Sequence, residues 1–285
     1  MNNKRRLFST LLCVAALTAG LFVSGCGSDK AGGIGSVVSS VVDGGSDEKA
    51  AAKLNTLIDA TNRFNGDNAT WGQNYADSLA KLKGGFQEGA IGRQPHYDTL
   101  KEALEQSKKE GSTFKEVDTE RDNVLNVLNE LVPTFKDLKA YDDSKAYMND
   151  GGAKGKELAA KYVAQVEKFD AAYAKFNDAL NKANTEQTKK QIEKLKKDGK
   201  KGYAAAMEST LRLTSLVENV EKAPKNADKQ AVEKELNEIQ TLLKSINNDR
   251  GEVLVNSYNS VVGSVRQVLN DANENNLNDM IENFN

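Results

Sequence analysis

Seven apolar positions between Leu158 and Leu180 constrain this chain more than any other feature. Leu158, Tyr162, Val166, Phe169, Tyr173, Phe176 and Leu180 step by threes and fours, the repeat that lays one oily stripe along an α-helix and leaves the other faces charged. A second stripe, Val232, Leu236, Ile239, Leu243 and Ile246, alternates fours and threes strictly. That is the seam of helices packed nearly parallel or antiparallel, so the two segments are read as packing in one bundle. Weaker stripes run through Leu54, Leu57, Ile58 and Phe64, through Val124, Leu125, Leu128 and Leu131, through Leu211, Leu216, Val217 and Val220, and through Leu254, Tyr258, Val261, Val265 and Leu269.

The composition agrees with helices. From Asp47 onward prolines stand only at 95, 133 and 224, and residues that lose little on entering a helix fill long stretches. No window alternates apolar and polar residues as a hairpin strand would. The expected fold is all-α, an elongated multi-helix bundle of about five to eight helices. Breaks are expected from Gly84-Gly85 to Pro95, at Pro133, at Gly151-Gly152, around Pro224 and from Asn247 to Gly251. These breaks divide elements without a second linker, so residues 47–285 read as one domain.

The N-terminus has a different character. Lys4, Arg5 and Arg6 precede an uncharged stretch from Leu7 to Val23, the layout of a secretory signal. A lasting membrane span needs roughly 20 apolar residues and would not end at a Gly-Cys pair before a glycine-rich tract. The stretch closes on Val23-Ser24-Gly25-Cys26, which resembles the lipobox recognised by lipoprotein signal peptidase. Residues 1–25 are therefore expected to be removed, and Cys26 to carry lipid. Cys13 leaves with the signal, so no disulfide can form in the mature chain. Residues 26–46 follow as a lipid-anchored tether: six glycines and five serines between 27 and 46 leave too little apolar surface to order it. Gly27 stands where an aspartate commonly retains lipoproteins in the inner membrane. The expected location is thus the outer membrane facing the periplasm in a two-membrane cell, and otherwise the outer side of the cytoplasmic membrane.

Charge excludes one class of partner. The net charge is −2, and losing Lys4, Arg5 and Arg6 takes it to about −5. Nucleic-acid binding needs a basic surplus on one face, whereas these lysines are interleaved with acids, so no nucleic acid is expected. The one marked basic run is Lys189 to Lys201, which reads either as a solvated helix face or as a contact for anionic headgroups or glycan phosphates.

Catalytic constellations are missing from the sequence. His96 is the only histidine, and no cysteine ligand remains beside it, so no zinc site and no cofactor is expected. His96 follows Pro95 and reads as a helix-start or surface residue. Gly151-Gly152-Ala153-Lys154-Gly155-Lys156-Glu157 is not a phosphate loop, because Asp150 and Glu157 occupy the positions of its first glycine and its hydroxyl. Asp271, Asn273, Asn275, Leu277, Asp279 and Glu282 match the ligand spacing of a calcium loop. Asn276 occupies the glycine position, however, and too few residues follow for a second helix. This end reads as an Asn-rich terminal helix. Tyr162, Phe169, Tyr173 and Phe176 lie on the first stripe and are expected in the core.

Three segments carry a family resemblance. Lys145-Ala146-Tyr147-Met148-Asn149-Asp150-Gly151-Gly152-Ala153-Lys154-Gly155-Lys156-Glu157-Leu158 resembles a stretch of the YiiG-like lipoproteins, a family of unknown function. Lys53 to Asn62 resembles that family's opening helix, and Ser257 to Arg266 its late helix. The glycine pair at 151 and 152 departs from a more acidic turn. The resemblance implies a lipid-anchored helical envelope protein and brings no catalytic residue with it. The expected role is a non-enzymatic envelope module that is structural or binds a protein or glycan partner. The second reading is a small-molecule carrier or enzyme working from carboxylates and tyrosines between helices.

Overall fold

The computed structural model describes residues 46–69, 72–92, 94–111, 114–246 and 249–284. Residues 1–25, the tether up to residue 45 and Cys26 lie outside the described residues. Those described form ten α-helices and one 3-10 turn, with no strand among them. The all-α expectation therefore holds, and no described helix is long and apolar enough to cross a membrane.

The chain divides into two compact units, the first reaching Ala183 and the second starting at Asn184. The first contains α1 (Ser46–Ala69), α2 (Gly72–Lys83), α3 (Tyr97–Glu110), α4 (Lys115–Asp143) and the single turn α5 (Tyr147–Asp150). Helix α6 (Ala153–Lys197) begins in the first unit and ends in the second. The second unit continues with α7 (Lys201–Lys222), a 3-10 turn (Pro224–Asn226), α8 (Lys229–Leu243), α9 (Asp249–Asn270) and α10 (Glu274–Phe284).

In the first unit the Leu158–Leu180 stripe is the core side of α6. Tyr162, Val166, Phe169, Tyr173, Phe176 and Leu180 are all buried, while Leu158 at the edge is half-buried. Phe64 of α1 and Tyr97 of α3 meet Phe169 edge-on at 5.9 and 4.9 Å between ring centres. Phe135 of α4 meets Tyr162 at 5.5 Å. Three helices thus close on one face of a fourth.

The second unit is built on the other stripe. Val232, Leu236, Ile239 and Leu243 of α8 pack with Leu213, Val217 and Val220 of α7 and with Val261, Val265 and Val268 of α9. The two stripes thus serve the cores of separate units. Charge fixes the outer side of α8 from both directions: Arg212 of α7 forks onto Glu235 at 2.5 and 2.7 Å and also reaches Glu238. Arg266 of α9 holds Glu233 at 3.1 Å. Asp228 caps α8 by accepting from the Gln230 and Ala231 N–H groups.

Pro133 corrects one expected break, because it lies inside α4. Proline removes one hydrogen bond and crowds the carbonyl four residues back. Here Pro133 and Asn129 are both exposed, so water can serve the freed carbonyl, while Leu131, Val132, Phe135 and Leu138 hold the helix from the buried side. Thr134 adds a bond from its hydroxyl to the Glu130 carbonyl at 2.9 Å. The helix count exceeds the expected five to eight because single residues end helices that the apolar pattern joins. Gly111 and Gly199, at φ 67° and 74°, stop α3 and α6. Leu236 has no exposed surface and faces both α7 and α9 within the second core. Leu236→Ala is expected to cost about 2–5 kcal/mol in urea unfolding, and a loss below about 1 kcal/mol would show that the seam is not tightly packed.

Candidate functional site

The buried phenols of the first unit form its most unusual chemical cluster. Tyr75 comes from α2, Tyr97 opens α3, and Tyr162 and Tyr173 lie one above the other on α6. All four are at most 8% exposed, and a buried hydroxyl needs a partner. The Tyr75 and Tyr97 hydroxyls share a hydrogen bond at 2.9 Å. Tyr162 donates to Gln94 Oε1 at 3.3 Å, and Tyr173 to Asn65 Oδ1 at 3.0 Å. Phe169 stacks on Tyr173 at 5.2 Å and seals the layer.

Asp170 of α6 lies close enough for its charge to act on Tyr75, Tyr97 and Tyr162. Burial pushes its carboxyl up to about 6, the neighbouring Glu167 adds to the rise, and Lys83 partly opposes it. Burial, each other's proximity and the Asp170 charge hold Tyr75, Tyr97 and Tyr162 well above the ordinary phenol value. The phenols are therefore neutral hydrogen-bonding groups at physiological pH, and Asp170 is the cluster's one group with a titration shifted to near neutrality.

A second cluster gathers around the turn into α6, between Tyr141 and Gly155. The Asp150 carboxylate accepts from the Tyr141 hydroxyl and from the Gly152 and Lys154 N–H groups at 2.9 and 3.1 Å. These donors hold it below the usual carboxylate range, Tyr141 foremost. Gly151 and Gly152 take φ of 65° and 83°, which side chains resist, and so let the chain turn into α6. Gly155 then serves as a seat for two rings: a Cβ there would stand 2.6 Å from both Phe86 and Tyr141. Phe86 and Tyr141 meet edge-on at 5.2 Å. Tyr147 completes the group at 5.8 Å from Phe86, with the Glu88 carboxylate pushing its phenol up to about 12. Next to it, Met148 is 71% exposed.

The remaining residues singled out by sequence fall elsewhere. Cys26 lies outside the described residues. His96 is exposed at the start of α3, where its side chain makes no capping bond. The calcium-like spacing folds as a helix start: Asn273 Oδ1 accepts from the Asn276 N–H at 2.9 Å, Asp271 accepts from the Asn273 amide, and Asp279 and Glu282 sit within α10. Asp271 and Asn273 border an open groove of about 430 Å³ with Pro224, Lys225 and Lys229. No group of three His, Cys, Asp or Glu able to hold a metal occurs among the described residues. Sequence reasoning placed Tyr162 and Tyr173 in the core but missed Tyr75, Gln94, Tyr97 and Asp170. The one available signal was an aspartate directly beside a stripe position.

The fold and these clusters define an all-helical protein whose phenols and carboxylates lock helices together. The chain belongs to the family described as "Protein of unknown function (DUF3829)", whose profile matches residues 48–283. No curated protein and no solved structure matches it.

Two substitutions separate the roles of the glycines in helices. Gly155→Ala is expected to destabilise by about 1–3 kcal/mol through the displaced rings, whereas Gly263→Ala on α9, with nothing within 4 Å, is expected to gain about 0.5–1 kcal/mol. Equal effects in thermal unfolding would remove the ring-seat explanation. Asp170 gives a pH signature. Its carboxyl ionises near 3.8 ordinarily but near 6 in the fold, so its cost to stability is absent below about pH 4, grows as pH rises, and is complete above about pH 6. Asp170→Asn is therefore expected to raise the urea midpoint at neutral pH, with the gain shrinking to nothing on acidification. A gain independent of pH would contradict this.

Proposed function

We propose that this chain is a lipoprotein of the cell envelope, cut before Cys26 and held by acyl chains on that cysteine, with a helical domain that acts as a partner-binding or structural module. Val23-Ser24-Gly25-Cys26, behind a basic start and an apolar stretch, carries this reading. The same reading makes the chain one of the YiiG-like lipoproteins, anchored in the outer membrane of a two-membrane cell and otherwise on the outer side of the cytoplasmic membrane. An envelope protein or a glycan is the proposed partner. Support for partner binding comes from Met148, 71% exposed beside the half-buried Tyr147 and Phe86, since a flexible thioether suits adaptable contacts.

A small-molecule carrier or enzyme is the second reading, and the Asp170 charge acting on the buried Tyr75, Tyr97 and Tyr162 favours it. Hydroxyls that already bond one another have little left to offer a ligand, which is why the module reading comes first.

Metabolic labelling with a palmitate analogue tests the anchor. The full chain is expected to take up label and fractionate with membranes, and Cys26→Ser to lose both. Undiminished labelling of Cys26→Ser would overturn the anchor. In the same cells, a photo-crosslinker at Met148 is expected to capture a discrete envelope species that one at Lys161 does not. Identical patterns from the two positions would favour the second reading.

A further inference from the structure

The corner between α6 and α7 concentrates positive charge on a chain whose net charge is −2. From Lys189 to Lys201 there are seven lysines against two acids, Glu193 and Asp198. The fold sorts them. Lys196 is taken up by Glu193 and Glu208 at 3.6 and 3.0 Å. Lys190, Lys194 and Lys197, at steps of four and three, fall on the side of α6 opposite Thr188, Ile192 and Leu195, which are buried. Ile192 and Leu195 pack on Ala204 and Met207 of α7, so the corner is a fixed helical hairpin.

Gly199 makes the turn at φ 74°, and the Lys200 N–H closes it on the Leu195 carbonyl at 2.9 Å. Lys200 and Lys201 are thereby carried at the tip, both exposed. Lys244 joins them from the end of α8, since a methyl group at Gly202 would lie 3.6 Å from the Ser245 carbonyl. Tyr203 is 42% exposed at the same place.

Lys194, Lys197, Lys200, Lys201 and Lys244 have no ion-pair partner among the described residues. Elsewhere Lys83, Lys101, Lys108, Lys136, Lys139 and Lys182 are each paired with an acid, and exposed lysines without a pair among the described residues, such as Lys81, Lys109, Lys161 and Lys175, stand apart along the chain rather than in one run. Like charges left unpaired together repel, and a surface of opposite sign relieves that repulsion. A helical corner is convex, so its charges meet a plane of phosphates better than a polymer that needs a groove. Long lysine stems let every head reach such a plane, and an exposed tyrosine suits the boundary between headgroup and acyl chain.

We propose that this corner rests on anionic phospholipid headgroups, a point of membrane contact distinct from any acyl chain on Cys26. Each lysine near such a surface strengthens attraction roughly fivefold, the equivalent of ~1 kcal/mol. The contact therefore depends on salt, while an acyl anchor does not.

The test uses the full chain with Trp71→Phe and Tyr203→Trp, so that one indole reports from the corner. It is mixed with phosphatidylethanolamine vesicles containing phosphatidylglycerol, with bromine on the acyl chains as quencher. Quenching is expected at low salt, with relief at 1 M, where the screening length falls from ~10 Å at 0.1 M to ~3 Å. Replacing Lys194, Lys197, Lys200 and Lys201 by Gln is expected to abolish quenching. The same change at the exposed Lys81, Lys109, Lys161 and Lys175 keeps net charge equal and is expected to leave quenching intact. Equal quenching in the two variants would overturn the proposal. So would a chain that sediments with vesicles while its indole stays unquenched, a result that leaves the Cys26 anchor standing. Retention of the corner by a soluble polyanion without vesicle quenching would likewise replace the membrane by a polymer.

Discussion

Burial of the aromatic face of α6 is the interaction on which the first unit depends. A helix that must hide Tyr162, Phe169, Tyr173 and Phe176 needs neighbours that offer both rings and hydrogen-bond partners. Phe64, Tyr97 and Phe135 supply the rings, and Asn65 and Gln94 supply the acceptors. The polar demand is what gives the packing its register. An apolar stripe alone tolerates sliding by a turn, but a phenol 3.0 Å from one amide does not. The second unit solves the same problem differently, with an aliphatic seam inside and two arginines outside that grip α8 from opposite sides.

The helices were legible in the sequence because their period and their burial have the same origin. Both stripes emerged as core positions, and the glycine pair at 151 and 152 did end an element. Pro133 was misread because the cost of a proline depends on whether the carbonyl behind it faces water, and the residue alone does not say which way it points. Among the breaks that the apolar pattern did not mark are Gly111 and Gly199, where one left-handed residue suffices to stop a run. The 47–285 stretch was read as one domain, while its described contacts gather into two units whose division falls inside α6.

The clusters were less legible, for a reason of the same kind. Tyr75, Gln94, Tyr97 and Asp170 come from separate parts of the chain, and only tertiary folding makes neighbours of them. Gly155 was read as one glycine of a rich segment, yet its role is steric: it lets two rings lie against a helix backbone. The segment from Tyr141 to Gly155 is thus a built corner, with Asp150 satisfying the turn and Gly155 seating the rings. Asp271 and Asn273 show the converse, a ligand-like spacing spent on starting a helix.

The phenol layer has a consequence in base. Tyr75, Tyr97, Tyr162 and Tyr173 are all raised above the ordinary phenol value by burial, as Tyr258 is in the second unit. An unfolded chain releases phenolic protons near pH 10, while the folded chain keeps them. Alkali therefore draws the protein toward the state that can ionise, and stability is lost as pH climbs past that value. Most of these rings lie in the first unit, so alkali costs that unit more stability than the second, and its tyrosines ionise as the helices part.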